Sequence, residues 1–152
     1  MKGLKDKLII LSGGSSGIRE ATCKIFAEYG AKVVVVDIRD EVGQQTTDKP
    51  NKLYPNQAFY VHADISNEND VRSMVQKTIA QYNRLDILIN CAATFIMKGI
   101  DATVEEWQKI MAVNIMGYAL CTKYAVPEMK KNGGGAIVNV CSISGFIAQP
   151  GY

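Results

Sequence analysis

The sequence predicts an α/β fold built on an open, doubly wound parallel sheet. Three observations carry that prediction. Residues 8–11 form an apolar run that breaks into a Gly/Ser turn and then an amphipathic stretch reaching Tyr29, the pattern of a strand, a tight turn and a helix start. Residues 31–37 read Ala-Lys-Val-Val-Val-Val-Asp, β-branched without alternation, as in a strand covered on both faces. Strand and helix signals then keep alternating along a chain of 152 residues, which is long enough for one domain with its own core.

The elements follow in order. In the first turn Gly13, Gly14 and Gly17 permit positive φ and close approach of a ligand, and Ser15 and Ser16 are expected to cap the helix and leave its first N–H groups facing an anion. Residues 39–57 hold Gly43, Pro50 and Pro55 in a polar context, which predicts a short helical turn and then a mobile loop. Residues 58–63 are a third strand. Ser66 is expected to cap a helix whose apolar positions Val71, Met74, Val75, Thr78 and Ile79 share one face. Residues 85–90 are the fourth strand. Thr103 and Glu106 have capping-box spacing and open a long helix reaching about Met129, with a bend expected at Gly117 and strain at Pro127. Residues 132–135, Asn-Gly-Gly-Gly, stop that helix, and residues 136–141 read as a fifth strand of the buried type.

Composition narrows the function classes. The chain is 47% hydrophobic and 21% charged, with a formal net charge of +2 and no Lys/Arg run interleaved with aromatics, so nucleic acid is not an expected partner. No stretch approaches the ~18 apolar residues of a membrane span, and no cleavable leader is evident, so a cytoplasmic location is expected. Cys23, Cys91, Cys121 and Cys141 are widely spaced within apolar segments, which suggests neither disulfides nor a metal site. His62 reads as a structural histidine, and Trp107 and the helical Met residues as core or interface.

In a doubly wound sheet, ligands sit beyond the carboxyl ends of the strands. The residues at those ends are 12–17, Asp37, Asp64, 90–94 and Ser142, all small, polar or acidic. Asp37 lies about 20 residues after the glycine turn, where a dinucleotide-binding unit places a carboxylate to accept hydrogen bonds from the adenosine ribose. A 2′-phosphate would be repelled there. Ser16 and Ile38 are uncharged and Arg39 is the one nearby cation, so NAD is favoured over NADP.

These motifs, taken together and in this order, resemble the short-chain dehydrogenase/reductase family over the whole chain. The family's glycine turn is matched by Ser12-Gly13-Gly14-Ser15-Ser16-Gly17-Ile18-Arg19, with Ser for Thr and Arg for the last Gly. Its Asn-Asn-Ala-Gly is matched by Asn90-Cys91-Ala92-Ala93, its helix asparagine by Asn114, and its serine strand by residues 137–142. The resemblance implies a Rossmann-like fold whose cofactor-binding residues are Ser12, Gly13, Ser15, Ser16, Gly17, Ile18, Asp37, Asp64, Ile65, Asn90 and Ala92. It also implies two residues of the chemistry: Ser142, hydrogen-bonding the substrate oxygen, and Asn114, positioning a water for proton relay. The implied activity is NAD-dependent interconversion of a small secondary alcohol and a ketone, in a protein that is a homo-oligomer when complete. No metal is implied.

One departure outweighs the rest. The family's acid–base group is a tyrosine whose pKa is lowered by a lysine four residues later, because a phenol of pKa ≈ 10 is otherwise a poor base at neutral pH. The chain contains no Tyr-x-x-x-Lys, and Tyr152, after Pro150-Gly151, reads as the tyrosine that often precedes the catalytic one. The expectation is therefore a sheet incomplete at its C-terminal side, a catalytic Tyr/Lys pair beyond residue 152, and a 152-residue chain that is inactive alone and self-associates. The alternative is a complete but non-catalytic dinucleotide-binding or interaction module. Arg19 leaves cofactor affinity at the turn open, and Cys91 and Ala93 are expected to be tolerated.

Overall fold

The computed structural model describes residues 3–13 and 17–147, the side chain of Arg19 excepted. Leu8–Ser12 (β1), Lys32–Asp37 (β2), Ala58–His62 (β3), Ile87–Asn90 (β4) and Ala136–Asn139 (β5) form one sheet in the order β3-β2-β1-β4-β5. Every neighbouring pair is parallel. The chain steps outward from β1 to β3 and then returns to the other side of β1, so strand order reverses between β1 and β4. A crevice opens at the carboxyl ends of the strands where that happens.

Alternate residues of each central strand feed opposite faces. Leu8, Ile10, Val34 and Val36 pack against Val71, Met74 and Val75 of Glu68–Tyr82 (α3) and Cys121, Ala125 and Met129 of Gly117–Lys131 (α5). Ile9, Leu11, Val33 and Val35 pack on the other side with Cys23 and Phe26 of Ile18–Glu28 (α1). The unbroken β-branched run of β2 thus fills two cores at once. Burial pushes the thiols of Cys23 and Cys121 up to about 12, which leaves both as inert packing groups. No helix among the described residues is long and apolar enough to cross a membrane.

Four local expectations need correction. Residues 39–57 contain a 14-residue helix, Asp40–Leu53 (α2), with Pro50 in its last turn. Tertiary contacts override the breakers. Gly43 lies under the Tyr60 ring, where a Cβ would come within 2.1 Å of Cε2. Thr46 and Thr47, both buried, return their hydroxyls to the carbonyls of Val42 and Gln44. Asn51 then accepts from the Gln57 and Ala58 N–H groups and donates to the Ala58 carbonyl, tying the end of α2 to β3. At α3 the cap is Asn67, not Ser66: the Asn67 side chain accepts from the Asn69 and Asp70 N–H groups, while Ser66 is turned back onto Asp64.

The long helix predicted to reach Met129 is divided into Val104–Met111 (α4), a π-helical segment Ala112–Met116, and α5, which continues through Pro127. The capping box at Thr103 and Glu106 is formed as expected. Finally, β5 is exposed throughout, with Val138 49% accessible, rather than buried. It pairs with β4 on one side, and no described strand pairs its outer edge. Of the side chains expected in core or interface, Trp107 and Met111 are about half exposed and join neither core.

At the opposite end of the sheet, Asp86 accepts hydrogen bonds from the Leu8 N–H, the Lys7 ammonium and both arms of the Arg84 guanidinium, the last at 2.6 Å. Burial alone would push its carboxyl up, but the hydrogen bonds from Arg84, Leu8 and Lys7 outweigh it and hold the group below the usual carboxylate range. A depressed folded-state pKa gives stability that is present above the unfolded value, ~3.9, and is lost as pH falls through the folded value. Asp86→Asn is expected to destabilise the chain by roughly 2 kcal/mol at neutral pH, the scale of hydrogen bonds to a charged group. Thermal melts of the two proteins should begin to converge below about pH 4 and meet only once pH has fallen through the depressed folded-state value.

Candidate functional site

Two clefts open along the carboxyl edge of the sheet and meet at Ala93. The first, about 360 Å³, is lined by Gly13, Asp37, Asp64, Ile65 and Ala92, and also by Arg39, Lys109 and Val113. The second, about 740 Å³, is lined by Gly17, Ile18, Asn114 and Ser142, with Phe95, Tyr118 and Cys141. Nine of the residues singled out from sequence are therefore brought to one continuous groove. Ser15 and Ser16 lie outside the described residues, as does Tyr152.

Ser12 and Asn90 sit behind the groove and shape it. Ser12 is buried at the end of β1, where its hydroxyl donates to the Ile89 carbonyl and accepts from the Cys91 and Ala92 N–H groups. That one side chain fixes the turn after β4. Asn90, also buried, donates through Nδ2 to Asn139 Oδ1 at 2.9 Å and joins β4 to β5. Gly13 and Gly17 both hold positive φ, 67° and 57°, and a Cβ at Gly17 would meet no atom of the described residues within 4 Å. Glycine is needed there for backbone conformation.

Asp37 ends β2 with its side chain 6% exposed and lies against the first cleft. Arg39 reaches back over it: the Arg39 N–H donates to Oδ1 at 3.1 Å, Nε to Oδ1 at 3.2 Å and one terminal nitrogen to Oδ2 at 3.4 Å. This fork holds the Arg39 guanidinium above its ordinary pKa. The turn after Asp37 is braced from below by Tyr60, whose hydroxyl lies 2.9 Å from both the Asp37 carbonyl and Asp40 Oδ1. His62 Nδ1 is 2.7 Å from the same Asp40 oxygen. The Tyr60 and His62 hydrogen bonds hold the Asp40 carboxyl below its usual range, and burial with Asp40 beside it pushes the Tyr60 phenol up. His62 is thus structural, as the sequence suggested, and Gly43 makes room for its neighbour Tyr60. On the facing wall, Asp64 accepts from the Ser66 N–H and hydroxyl, which sets the turn that presents Ile65.

Asn114 occupies the middle of the π-helical segment. Its Oδ1 accepts from the Thr94 N–H at 2.8 Å and its Nδ2 donates to the Thr94 carbonyl at 3.0 Å, so the amide braces the loop after β4 against the helix. π-Helical turns of this kind are frequent at functional sites. Directly after it, Gly117 lets the helix lie against Ile65; a Cβ there would stand 2.7 Å from Ile65 Cδ1. Ser142, just past β5, donates to Ser144 Oγ at 3.0 Å and accepts from the Ser144 N–H. Tyr118 donates to the Val140 carbonyl at 3.3 Å across the same cleft.

Sequence reading missed Val113, Lys109, Phe95 and Tyr118. Tyr118 lies one helical turn beyond Asn114 and lines the same cleft, so helical spacing from Asn114 was the signal that could have found it.

The family model described as short chain dehydrogenase matches residues 7–152. The chain belongs to that family. This short-chain dehydrogenase chain is 36% identical over 148 residues to an uncharacterized oxidoreductase of Thermotoga maritima, covering 97% of this chain and 57% of that protein. It is 33% identical over 152 residues to a cyclopentanol dehydrogenase of Comamonas testosteroni, covering 99% of this chain and 60% of that one. Among solved structures, a short-chain dehydrogenase/reductase of Burkholderia phymatum in complex with NAD superposes with a TM-score of 0.91 at 23% identity, covering 99% of this chain and 54% of that one. A short-chain type dehydrogenase/reductase of Mycobacterium marinum gives 0.91 at 27% identity, with 97% and 60% covered. The Rossmann-like fold expected from the sequence is therefore shared with the family, and the chain spans between half and two thirds of the length of these relatives.

Proposed function

We propose that residues 1–152 are a single dinucleotide-binding domain of a cytoplasmic, homo-oligomeric oxidoreductase that interconverts a secondary alcohol and a ketone with NAD(H). The observation that carries this reading is the buried carboxylate of Asp37, held at the carboxyl end of β2 against a cleft that also gathers Gly13, Asp64, Ile65 and Ala92. The adenosine half of the cofactor would lie there, its ribose hydroxyls donating to Asp37. The positive φ of Gly13 and Gly17 suits close passage of the pyrophosphate past the start of α1. The fit of these residues to a dinucleotide is good. When bound, the nicotinamide supplies or accepts the hydride.

The second cleft supports the substrate end of the reading. Ser142 would turn its hydroxyl from Ser144 to the substrate oxygen, stabilising charge that develops on it. Asn114, braced on Thr94, keeps one amide hydrogen and one lone pair for a water and would act as a positioning residue for proton relay. Ile18, Phe95 and Val140 make the surrounding wall apolar, which favours an uncharged alcohol. The cyclopentanol dehydrogenase relative is named for a substrate of that class. The proton-transferring Tyr/Lys pair would come from outside residues 1–152, which hold no Tyr-x-x-x-Lys.

A cofactor-reduction assay of the protein with its full reading frame, against a panel of cyclic and acyclic secondary alcohols, tests the proposal. NAD-dependent oxidation of at least one class is expected. Dinucleotide binding with no turnover on any of them would favour a non-catalytic binding module instead.

A further inference from the structure

The rungs that join β4 to β5 pair Ile87 with Ala136, Leu88 with Ile137, Ile89 with Val138 and, at the carboxyl end, Asn90 with Asn139. All but the last are apolar and interchangeable, so they tolerate a slip of one strand along the other. The last is a pair of amides. Asn90 is buried and donates through Nδ2 to Asn139 Oδ1 at 2.9 Å, while its own Oδ1 is buried with no hydrogen-bond partner among the described residues. A buried amide oxygen left unpaired costs stability that an apolar pair at this rung would keep, so the pair serves geometry rather than strength. Beyond it the chain is held to β4 by the Val140 N–H on the Asn90 carbonyl at 2.9 Å, and to α5 by the Tyr118 hydroxyl on the Val140 carbonyl at 3.3 Å. Ser142 follows at once, in the cleft that Asn139 also lines.

We infer that Asn139 is a positioning residue: its amide, locked on Asn90, fixes the register of β5 and through it the place of Ser142. This rests on the proposed contact between Ser142 and the substrate oxygen. A slip of one residue would turn every β5 side chain to the opposite face, and a slip of two would carry Ser142 about 6.6 Å along the strand, at ~3.3 Å per residue. In either case most rungs stay apolar, but Asn90 loses its acceptor, and a buried donor without an acceptor is what opposes the slip. The wall of the first cleft does not depend on this link, because Ser12 holds the Cys91 and Ala92 N–H groups. Loss of the Asn139 amide therefore falls on Ser142 and spares the cofactor side.

The test is steady-state kinetics and NADH titration on the protein with its full reading frame, as wild type, Asn139→Leu, Asn139→Asp, Ser142→Ala and the Asn139→Leu/Ser142→Ala double variant. Asn139→Leu, close in size but without an acceptor, is expected to lower kcat by roughly tenfold to a hundredfold, the scale of a small misplacement of a reacting group, and to leave KM and the Kd for NADH within about threefold. Asn139→Asp keeps an acceptor for Asn90 and should regain part of that loss. In the Ser142→Ala background, Asn139→Leu should cost less than about threefold in kcat, because the group it positions is gone. Should Asn139→Leu fail to fold, Asn139→Ser, which shortens the side chain away from Asn90, takes its place in the same cycle. Full additivity of the two substitutions overturns the inference, and so does an Asn139→Asp variant as slow as Asn139→Leu, or a parallel loss of NADH affinity. Undiminished activity of Ser142→Ala alone would overturn the placement of the substrate oxygen itself, an outcome separate from these.

Discussion

Residues 1–152 alone are expected to show no dehydrogenase activity above background while still binding the dinucleotide, and to self-associate. The loss of activity follows from proton chemistry. Hydride transfer to a ketone leaves an alkoxide that needs a proton, and a phenol can supply or take one near neutral pH only when a cation lowers its pKa. Tyr118 is the tyrosine that lines the cleft with Ser142 among the described residues, but Thr122 stands four residues on, and the next lysine, Lys123, is bonded to Glu68 on the outer surface at 2.6 Å. Lys109 lines the other cleft. Association follows from exposure: among the described residues no strand pairs the outer edge of β5, and Ile137, Val138, Val140, Ile143 and Phe146 in and after it are all accessible, Phe146 at 85%. An unprotected strand edge next to apolar side chains is a template for pairing with another chain. Light scattering and a cofactor-reduction assay check both halves. A monodisperse monomer that oxidises alcohols at ordinary rates would show that another cation near Ser142 does the lysine's work.

Ser142→Ala, in the protein with its full reading frame, is expected to lower kcat by roughly 10²–10³, the effect of removing one donor to a developing oxyanion, and to leave the Kd for NADH within about twofold. The selectivity of the effect is the point, because Ser142 lies in the second cleft and Asp37 in the first. Ser142 also caps the short turn Ile143–Gly145, so part of any loss could be structural. Ser142→Thr separates the two contributions: it keeps both the hydroxyl and the cap and should restore activity to within about tenfold of wild type, whereas a purely steric role at this position would make the larger side chain the worse variant. Parallel losses of cofactor binding and turnover in Ser142→Ala would contradict the assignment.

The strands, their parallel pairing and the groove at their carboxyl ends were legible in the sequence because a two-faced strand writes its burial directly as an unbroken β-branched run, as in β2. Asp37 and Ser142 could be placed from strand ends, whereas Asn114, and the roles expected of Asn114 and Ser142, came from the resemblance to the short-chain dehydrogenase/reductase family. What misled the reading was composition where tertiary contacts decide. Gly43 and Pro50 read as breakers, yet the Tyr60 ring requires the first, and the second falls in the last turn of α2, where Asn51 has already tied the chain to β3. Residues 136–141 were read as buried from the same β-branched signal that was right for β2. Sequence pattern records what a strand is suited to contact, and in the described residues β5 has a partner on one edge only. The π-helical segment had no signal in the sequence; the contact at its middle, the Asn114 amide on the main chain of Thr94, joins residues twenty apart.

The central claim is that a dinucleotide lies across the carboxyl edge of the sheet with its adenosine at Asp37. Amide hydrogen–deuterium exchange of the chain, with and without saturating NAD, tests it most directly, since backbone protection reports contact and ordering without requiring turnover. Slowed exchange is expected in four places: the turn from β1 into α1, the segment from Asp37 to Asp40, the loop following β3 and the loop following β4. Asp37→Asn should remove most of that protection. Protection elsewhere, such as along the exposed face of α4 or at the Asp86 end of the sheet, or no change on adding NAD, would contradict it.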